Sequence, residues 1–197
     1  SNKTYLVAVL ALGFVVRLIA ASSYRGHETD MNCFVGWADM AFSNGLSQFY
    51  LSEGFHDYPP GYVYVLYVLG AIKQLFSLKG PILWVVLKLP AIVCDLCLGY
   101  MAYNLTTEKF SKLAGTVVCA FVVLNPTVIL NSSLWGQVDS VLALFCVMSI
   151  YLAAQHKLGK SFFVFAAALL IKPQAIFFAP VLLFGFIDEF FLRAEFD

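Results

Sequence analysis

Three aspartates and two basic residues stand in or near long apolar runs in this chain of 197 residues. Asp30 follows the first run, Asp57 lies further along the same polar stretch, and Asp139 begins a later run. A carboxylate in such a place can remove the proton of a hydroxyl group. Lys172 or Arg17 can neutralise a departing phosphate. The combination fits transfer of a sugar from a lipid phosphate, and it also fits a transporter of ions or metabolites.

Each candidate also has a simpler structural role. Asp57 precedes a proline pair, where it could cap a helix, and Asp139 could complement a helix dipole. Lys172 could extend its amine to lipid headgroups, and Trp135 is interpreted as an interfacial anchor rather than a platform for a sugar. Ionisable residues near a bilayer usually mark a site, however. The amides that accompany these candidates are Gln137 and Gln174.

A second pair of charges, Lys88 and Asp95, lies within one apolar run. The two residues are two helical turns apart and therefore on the same face of a helix. They are too far apart to pair directly. Each is therefore predicted to have another partner.

The composition indicates that lipid is the solvent of this chain. It is 61% hydrophobic and 12% charged, whereas a soluble domain carries about 25% charged residues. Basic and acidic residues balance at 12 each. The composition therefore shows no excess of basic residues that would indicate binding of nucleic acid. We expect an all-α, polytopic transmembrane bundle.

The spans follow from the lengths of the apolar runs. A membrane helix needs about 20 apolar residues to cross roughly 30 Å of hydrocarbon. The predicted spans are 4–21, 82–103, 113–131, 137–154 and 161–187. The last run is interrupted at Lys172-Pro173 and at Pro180, and it forms one kinked span or two short ones. The acidic segment 188–197 is expected to be an amphipathic interfacial tail or the remainder of a missing half.

Lysines in short loops orient these spans. Lys3 and the loops 104–112 and 155–160 are predicted to be cytoplasmic. An even number of spans must then separate Lys3 from 104–112, so the run 59–78 is predicted to be a juxtamembrane or re-entrant helix. It lies in a long first outer loop, 22–81, which is expected to carry the juxtamembrane helices. Lys73 and Lys79 count against this outer placement, because lysines favour the cytoplasmic side. The topology brings the polar clusters together on the outer or lumenal face.

The order of the polar motifs resembles that of the GT-C glycosyltransferases, and most closely the GPI-mannosyltransferase-II-like proteins and their bacterial relatives. The motifs are Thr29-Asp30-Met31-Asn32, Asp57-Tyr-Pro-Pro-Gly61, Asn125-Pro126, Trp135-Gly-Gln-Val-Asp-Ser140 and Lys172-Pro-Gln174. The resemblance implies a single GT-C-like module with a polyprenyl-phosphate sugar as donor, on dolichol or undecaprenol phosphate. It also implies inversion of the anomeric centre, with Asp30 as general base. The implied substrate-binding residues are Asp57, Tyr58, Trp135, Gln137, Asp139, Lys172, Gln174 and Arg17.

Two features depart from that family. Asn32 replaces a second acidic residue after Asp30, so a divalent metal is possible in principle but no paired-carboxylate motif supports one, and no cofactor is predicted. The chain also offers fewer spans than the family usually has. It is therefore expected to be a truncated form, a minimal member, or a module without full activity.

The sequence thus predicts a multi-pass protein of the plasma membrane or the ER membrane with a cytoplasmic N-terminus. Its predicted function is transfer of a hexose, with mannose favoured, from the polyprenyl-phosphate donor to a lipid, glycan or protein acceptor. The alternative is a non-catalytic module, or a transporter or flippase, that binds a polyprenyl-phosphate lipid.

Overall fold

A computed structural model describes residues 2–187, and these residues form helices without any strand. The helices are α1 (Asn2–Ser23), α2 (Glu28–Asn44), α3 (Pro60–Leu75), α4 (Gly80–Lys109), α5 (Lys112–Val123), α6 (Pro126–Ile129), α7 (Asp139–Ala154), α8 (Leu158–Ile171) and α9 (Ala179–Ile187). A π-helical segment, Leu130–Trp135, continues α6, and Pro173–Phe178 forms a 3₁₀ turn. The predicted tail 188–197 lies outside the described residues.

The helices confirm an all-α membrane bundle. Within the described range, α1 and α4 are long and apolar enough to cross a membrane. A third crossing results if α5 and the segment Pro126–Trp135 are counted together across a bend of 44°. The predicted spans 4–21 and 82–103 fall inside α1 and α4, whereas the helices within 137–154 and 161–187 are shorter.

Two predicted runs are interrupted by proline. The run 113–131, predicted as a span, is not one continuous helix, because the chain bends at Asn125-Pro126. Pro126 has no N–H to continue the ladder of α5, and the Asn125 side chain caps the next helix by accepting a hydrogen bond from Thr127 N at 2.9 Å. The run 161–187 is likewise broken, since α8 ends at Ile171 and Pro173 starts the 3₁₀ turn.

The predicted outer segment 22–81 contains two packed helices. α3 matches the helix predicted over 59–78. α2 was not singled out in the sequence, although its buried residues recur at helical spacing; they are Met31, Phe34, Trp37, Ala38 and Ala41. The backbones approach closely at Gly70, where an added Cβ would lie 2.1 Å from the carbonyl oxygen of Ala38.

The largest buried cluster lies directly beneath the polar end of the bundle. It joins α2 and α3 to the first turns of α4 through Tyr62, Leu66 and Leu87, and it includes Val138 and Ile171. The residues next to these last two, Gln137 and Lys172, are polar. The cluster therefore supports the chain segments that carry the polar residues.

Candidate functional site

A cavity of about 560 Å³ opens at the polar end of the bundle. Four segments form its walls: the start of α2, the loop before α3, the residues before α7, and the break after α8. The polar lining residues named by the sequence analysis are Asp30, Asp57, Tyr58, Gln137, Lys172 and Gln174. Residues far apart in the chain thus converge on one cavity.

The Asp30 carboxylate is held through one of its two oxygens. Its Oδ2 accepts hydrogen bonds from Gln137 Nε2 at 2.7 Å and from Trp135 Nε1 at 2.8 Å. The ring atom Nδ1 of His27 lies 3.2 Å from the same oxygen. Among residues 2–187, none donates a hydrogen bond to Oδ1. The side chain is 27% exposed and belongs to the lining of the cavity.

Lys172 provides the cation of the cavity. Its Nζ lies 2.6 Å from Asp139 Oδ1 and 3.2 Å from Gln137 Oε1. It also lies 5.4 Å from the centre of the Tyr58 ring. The side chain is only 12% exposed, and it therefore points into the site instead of reaching for lipid headgroups.

The Gln137 amide connects the two charges. Its nitrogen donates to Asp30 and its oxygen accepts from Lys172. An amide between a carboxylate and an ammonium has one favourable orientation, because its nitrogen can only donate and its oxygen can only accept. Gln137 thereby fixes the spacing between the Asp30 carboxylate and the Lys172 ammonium.

Asp139 has two roles: it lies at the start of α7, and it pairs with Lys172 of the cavity. It lies in the first turn of α7, where its charge complements the helix dipole. Besides its pair with Lys172, it accepts a hydrogen bond from Asn131 Nδ2 at 3.0 Å. The dipole role considered for the sequence is thus compatible with a place in the site, and Asn131 is a contact that the sequence analysis did not name.

Asp57 and Gln174 line the cavity without hydrogen bonds or ion pairs to other described residues. Asp57 does not cap α3, because the N-cap is Pro59 and no side chain caps it. Both side chains are exposed. Both are therefore available to a ligand.

Two ionisable side chains of the cavity, Tyr58 and Cys33, have raised pKa values. Burial raises the pKa of Tyr58 well above the ordinary value for a phenol. Burial, together with the nearby Asp57 and Asp30, raises the pKa of the Cys33 thiol. Tyr58 is therefore a neutral hydrogen-bonding group, and Cys33 is a thiol instead of a nucleophilic thiolate.

Trp135 and His27 form a stacked pair beside Asp30. Their ring centroids are 5.0 Å apart at an interplanar angle of 16°. The sequence interpretation of Trp135 as a lipid anchor does not account for its bond to Asp30. His27 was not named as a site residue. Its position three residues before Asp30 indicates contact only if residues 28–44 are recognised as a helix.

Arg17 was predicted to bind the lipid phosphate, and this prediction was wrong. The residue is 0% exposed and is absent from the lining of the cavity. Its Nε donates to Asp95 Oδ2 at 2.9 Å, and Nη1 donates to the carbonyl oxygen of Val123 at 2.5 Å. The prediction that Lys88 and Asp95 each have another partner is confirmed, since Lys88 contacts backbone carbonyl groups.

Two glycines allow the segments beneath the site to meet. Gly26 has φ +113° and Gly136 has φ +93°, a region that favours glycine. A Cβ at Gly26 would lie 2.4 Å from the carbonyl oxygen of Trp135. The next amide, His27 N–H, donates to that oxygen at 2.9 Å. The junction therefore tolerates no side chain at position 26.

Substitution of Gly26 by Ala should lower the free energy of unfolding more than substitution of Gly45 by Ala. Both glycines have positive φ, but a Cβ at Gly45 meets no atom within 4 Å. A conformational cost of about 1–3 kcal/mol applies to each variant, and the clash with Trp135 is added at Gly26. Thermal unfolding of the detergent-purified variants measures the difference. Equal losses would contradict the tight junction.

The described residues contain no group of three or more His, Cys, Asp or Glu side chains that could hold a metal ion. The polar side chains that line the cavity include carboxylates, amides and one lysine.

The fold and the cavity together define an all-α membrane bundle with a polar cavity, lined by carboxylates, amides and one lysine, at one end. The chain is 26% identical, over 197 residues, to a dolichyl pyrophosphate Glc1Man9GlcNAc2 alpha-1,3-glucosyltransferase from Arabidopsis thaliana. The alignment covers 92% of this chain, which spans 38% of the length of that relative. No family model and no solved structure matches the chain. The similarity agrees with the resemblance to membrane glycosyltransferases without favouring the GPI-mannosyltransferase-II-like proteins among them.

Proposed function

We propose that the chain carries the site of a membrane glycosyltransferase that moves a hexose from a polyprenyl-phosphate sugar to an acceptor hydroxyl. The observation that carries the proposal is the Asp30 carboxylate, held by three groups at Oδ2 and open at Oδ1. Lys172 is joined to the same site through Gln137. The similarity to a glucosyltransferase of a dolichyl-linked pathway supports the reaction class.

The proposed step uses each of these groups once. Asp30 Oδ1 accepts the proton of the acceptor hydroxyl as its oxygen attacks the anomeric carbon of the hexose. The bond from that carbon to the phosphate oxygen breaks, and the electron pair leaves with the phosphate. Lys172 neutralises the charge that develops there. Attack on the face opposite the leaving phosphate inverts the anomeric centre.

The polar side chains around these two groups would hold the sugar or the acceptor. Asp57 and Gln174 present hydrogen-bonding groups that no other described side chain occupies. Asp139 and Tyr58 set the position of Lys172. The motif resemblance favours mannose and the name of the relative favours glucose, so both hexoses belong in the test. We place the site on the outer or lumenal face, with the N-terminus in the cytoplasm, because the lysine-containing loops favour that orientation.

The reconstituted protein should transfer labelled hexose from polyprenyl-phosphate mannose or polyprenyl-phosphate glucose, and Lys172→Met should weaken both donor binding and transfer. Loss of one charge-assisted hydrogen bond to phosphate costs about 1.5–3 kcal/mol, which corresponds to roughly 10–150-fold in affinity. The control is Lys73→Met, because Lys73 pairs with Asp39 outside the cavity.

Three measurements distinguish the outcomes: binding of polyprenyl phosphate, release of polyprenyl phosphate from the donor, and label on an acceptor. Tight binding with all label retained on the donor would indicate the non-catalytic lipid-binding module or flippase instead of the enzyme. Equal binding by the Lys172→Met and Lys73→Met variants would remove Lys172 from the phosphate site.

A further inference from the structure

Lys88 lies inside the bundle, and its amine faces only backbone carbonyl groups. Nζ donates to the carbonyl oxygens of Tyr24 at 2.7 Å and Ser133 at 2.9 Å. The carbonyl oxygens of Leu134 and Ala21 lie at 3.3 and 3.5 Å. The residue is 1% exposed and is absent from the cavity lining. Within residues 2–187, no carboxylate forms an ion pair with it. We call this arrangement the carbonyl cage.

The carbonyl cage joins the two chain segments from which the site is built. Ala21 and Tyr24 belong to the end of α1 and the linker that leads through His27 to Asp30. Ser133 and Leu134 belong to the π-helical segment that ends at Trp135. The two segments also bond directly to each other, from His27 N–H to the carbonyl oxygen of Trp135 and from Trp135 Nε1 to Asp30 Oδ2.

We infer that Lys88 is a positioning residue: its ammonium fills the carbonyl cage and thereby sets the spacing between Asp30 and the segment that carries Trp135 and Gln137. The inference deepens the proposed function, since these residues form the proposed site. Lys88 does not touch the cavity, so its effect on the reaction passes through the two segments.

A cation is what this arrangement requires. Carbonyl oxygens from two chain segments point toward one place, where their negative ends repel each other. An ammonium supplies three N–H donors and a positive charge, whereas an apolar side chain of the same length supplies neither. Without the amine, buried acceptors remain unsatisfied and the segments separate or admit water.

The same helix also holds the π-helical segment from below. Asp95 lies two turns further along α4 and accepts hydrogen bonds from Ser132 Oγ at 2.6 Å and Ser140 Oγ at 2.5 Å. Lys88 differs from Asp95 in that its contacts reach the α1 linker as well. Loss of Lys88 should therefore loosen the two segments above it while α3, on the other side of the core, stays packed.

Hydrogen–deuterium exchange of the full chain in detergent tests the inference without an activity assay. In Lys88→Met, which keeps the length of the side chain, exchange should rise about tenfold or more in residues 24–31 and 130–137. Exchange in α3 should remain as in the wild type. Lys109→Ala, at the exposed other end of α4, is the matched control and should change neither segment.

Chemical rescue separates the charge from the volume of the side chain. Lys88→Ala leaves a space that fits n-propylammonium, which should restore slow exchange in both segments, whereas n-propanol of similar size should not. Unchanged exchange in the two segments of Lys88→Met would overturn the inference. So would a rise of similar size throughout the bundle, α3 included, or equal rescue by the alcohol.

The transfer assay then connects spacing to the reaction. Lys88→Met should lower kcat by roughly tenfold or more with little change in KM for the donor, because the phosphate contact of Lys172 is retained. Normal kcat in a variant with raised exchange would overturn the positioning role. If the wild type transfers no hexose, the proposed function fails. The exchange experiment still decides whether Lys88 holds the two segments together.

Discussion

Asp30→Asn should lower the rate of hexose transfer by about 10³-fold while the fold persists. The amide oxygen of Asn can replace Oδ2 and accept the hydrogen bonds of Gln137 and Trp135. The amide nitrogen then takes the place of Oδ1, where it cannot accept a proton. The substitution thus removes the base and retains its supports. Initial rates with labelled donor at saturating acceptor measure the loss.

Asp39→Asn is the matched control for this variant. Asp39 lies on the same helix, α2, and pairs with Lys73 outside the cavity. Loss of that partly exposed pair should cost less than about 1 kcal/mol and leave transfer near the wild-type rate. Both variants should elute as single species in detergent and melt near the wild-type temperature. Undiminished transfer by a well-folded Asp30→Asn protein would remove Asp30 from the reaction.

Long, continuous apolar runs were sufficient to predict α1 and α4, because length and hydropathy alone identify them. The bend at Asn125-Pro126 was missed because hydropathy continues through it, although Asn before Pro is a typical start of a new helix. α2 was missed for the opposite reason. In the sequence, polar residues such as Asp30 and Asn32 stand between its buried residues, so the segment forms no continuous apolar run. Packing against α3 stabilises this helix.

The candidate site, like the fold, could be predicted only in part from the order of residues in the chain. Lysines in loops predicted that the polar clusters share one side, and in the structure Asp30, Gln137 and Lys172 do line one cavity. Sequence order does not reveal which face of a helix meets which neighbour. Arg17 was therefore assigned to the phosphate, whereas its partner Asp95 lies 78 residues away in the core. His27 and Asn131 were not among the predicted site residues, because their contacts with Asp30 and Asp139 depend on local geometry.

Asp95→Leu should lower the free energy of unfolding by about 3–5 kcal/mol, because it leaves the Arg17 guanidinium buried without its counter-charge. Both side chains are 0% exposed. Arg17 Nη2 already lacks a hydrogen-bond partner among the described residues, so the guanidinium has no reserve acceptor there. Ser140 Oγ would lose its acceptor as well. Unfolding by SDS titration in mixed micelles measures the change.

The double variant Arg17→Met/Asp95→Leu separates burial of charge from positioning. Replacing both ions by apolar side chains removes the unpaired charge, so most of the lost stability should return. Transfer activity should recover less than stability, because Ser132 and Ser140 still lack the carboxylate that ties the π-helical segment and α7 to α4. An Asp95→Leu protein within about 1 kcal/mol of the wild type would show that the pair is not required for folding. Full recovery of transfer in the double variant would assign the pair to stability alone and leave Lys88 as the link from α4 to the site.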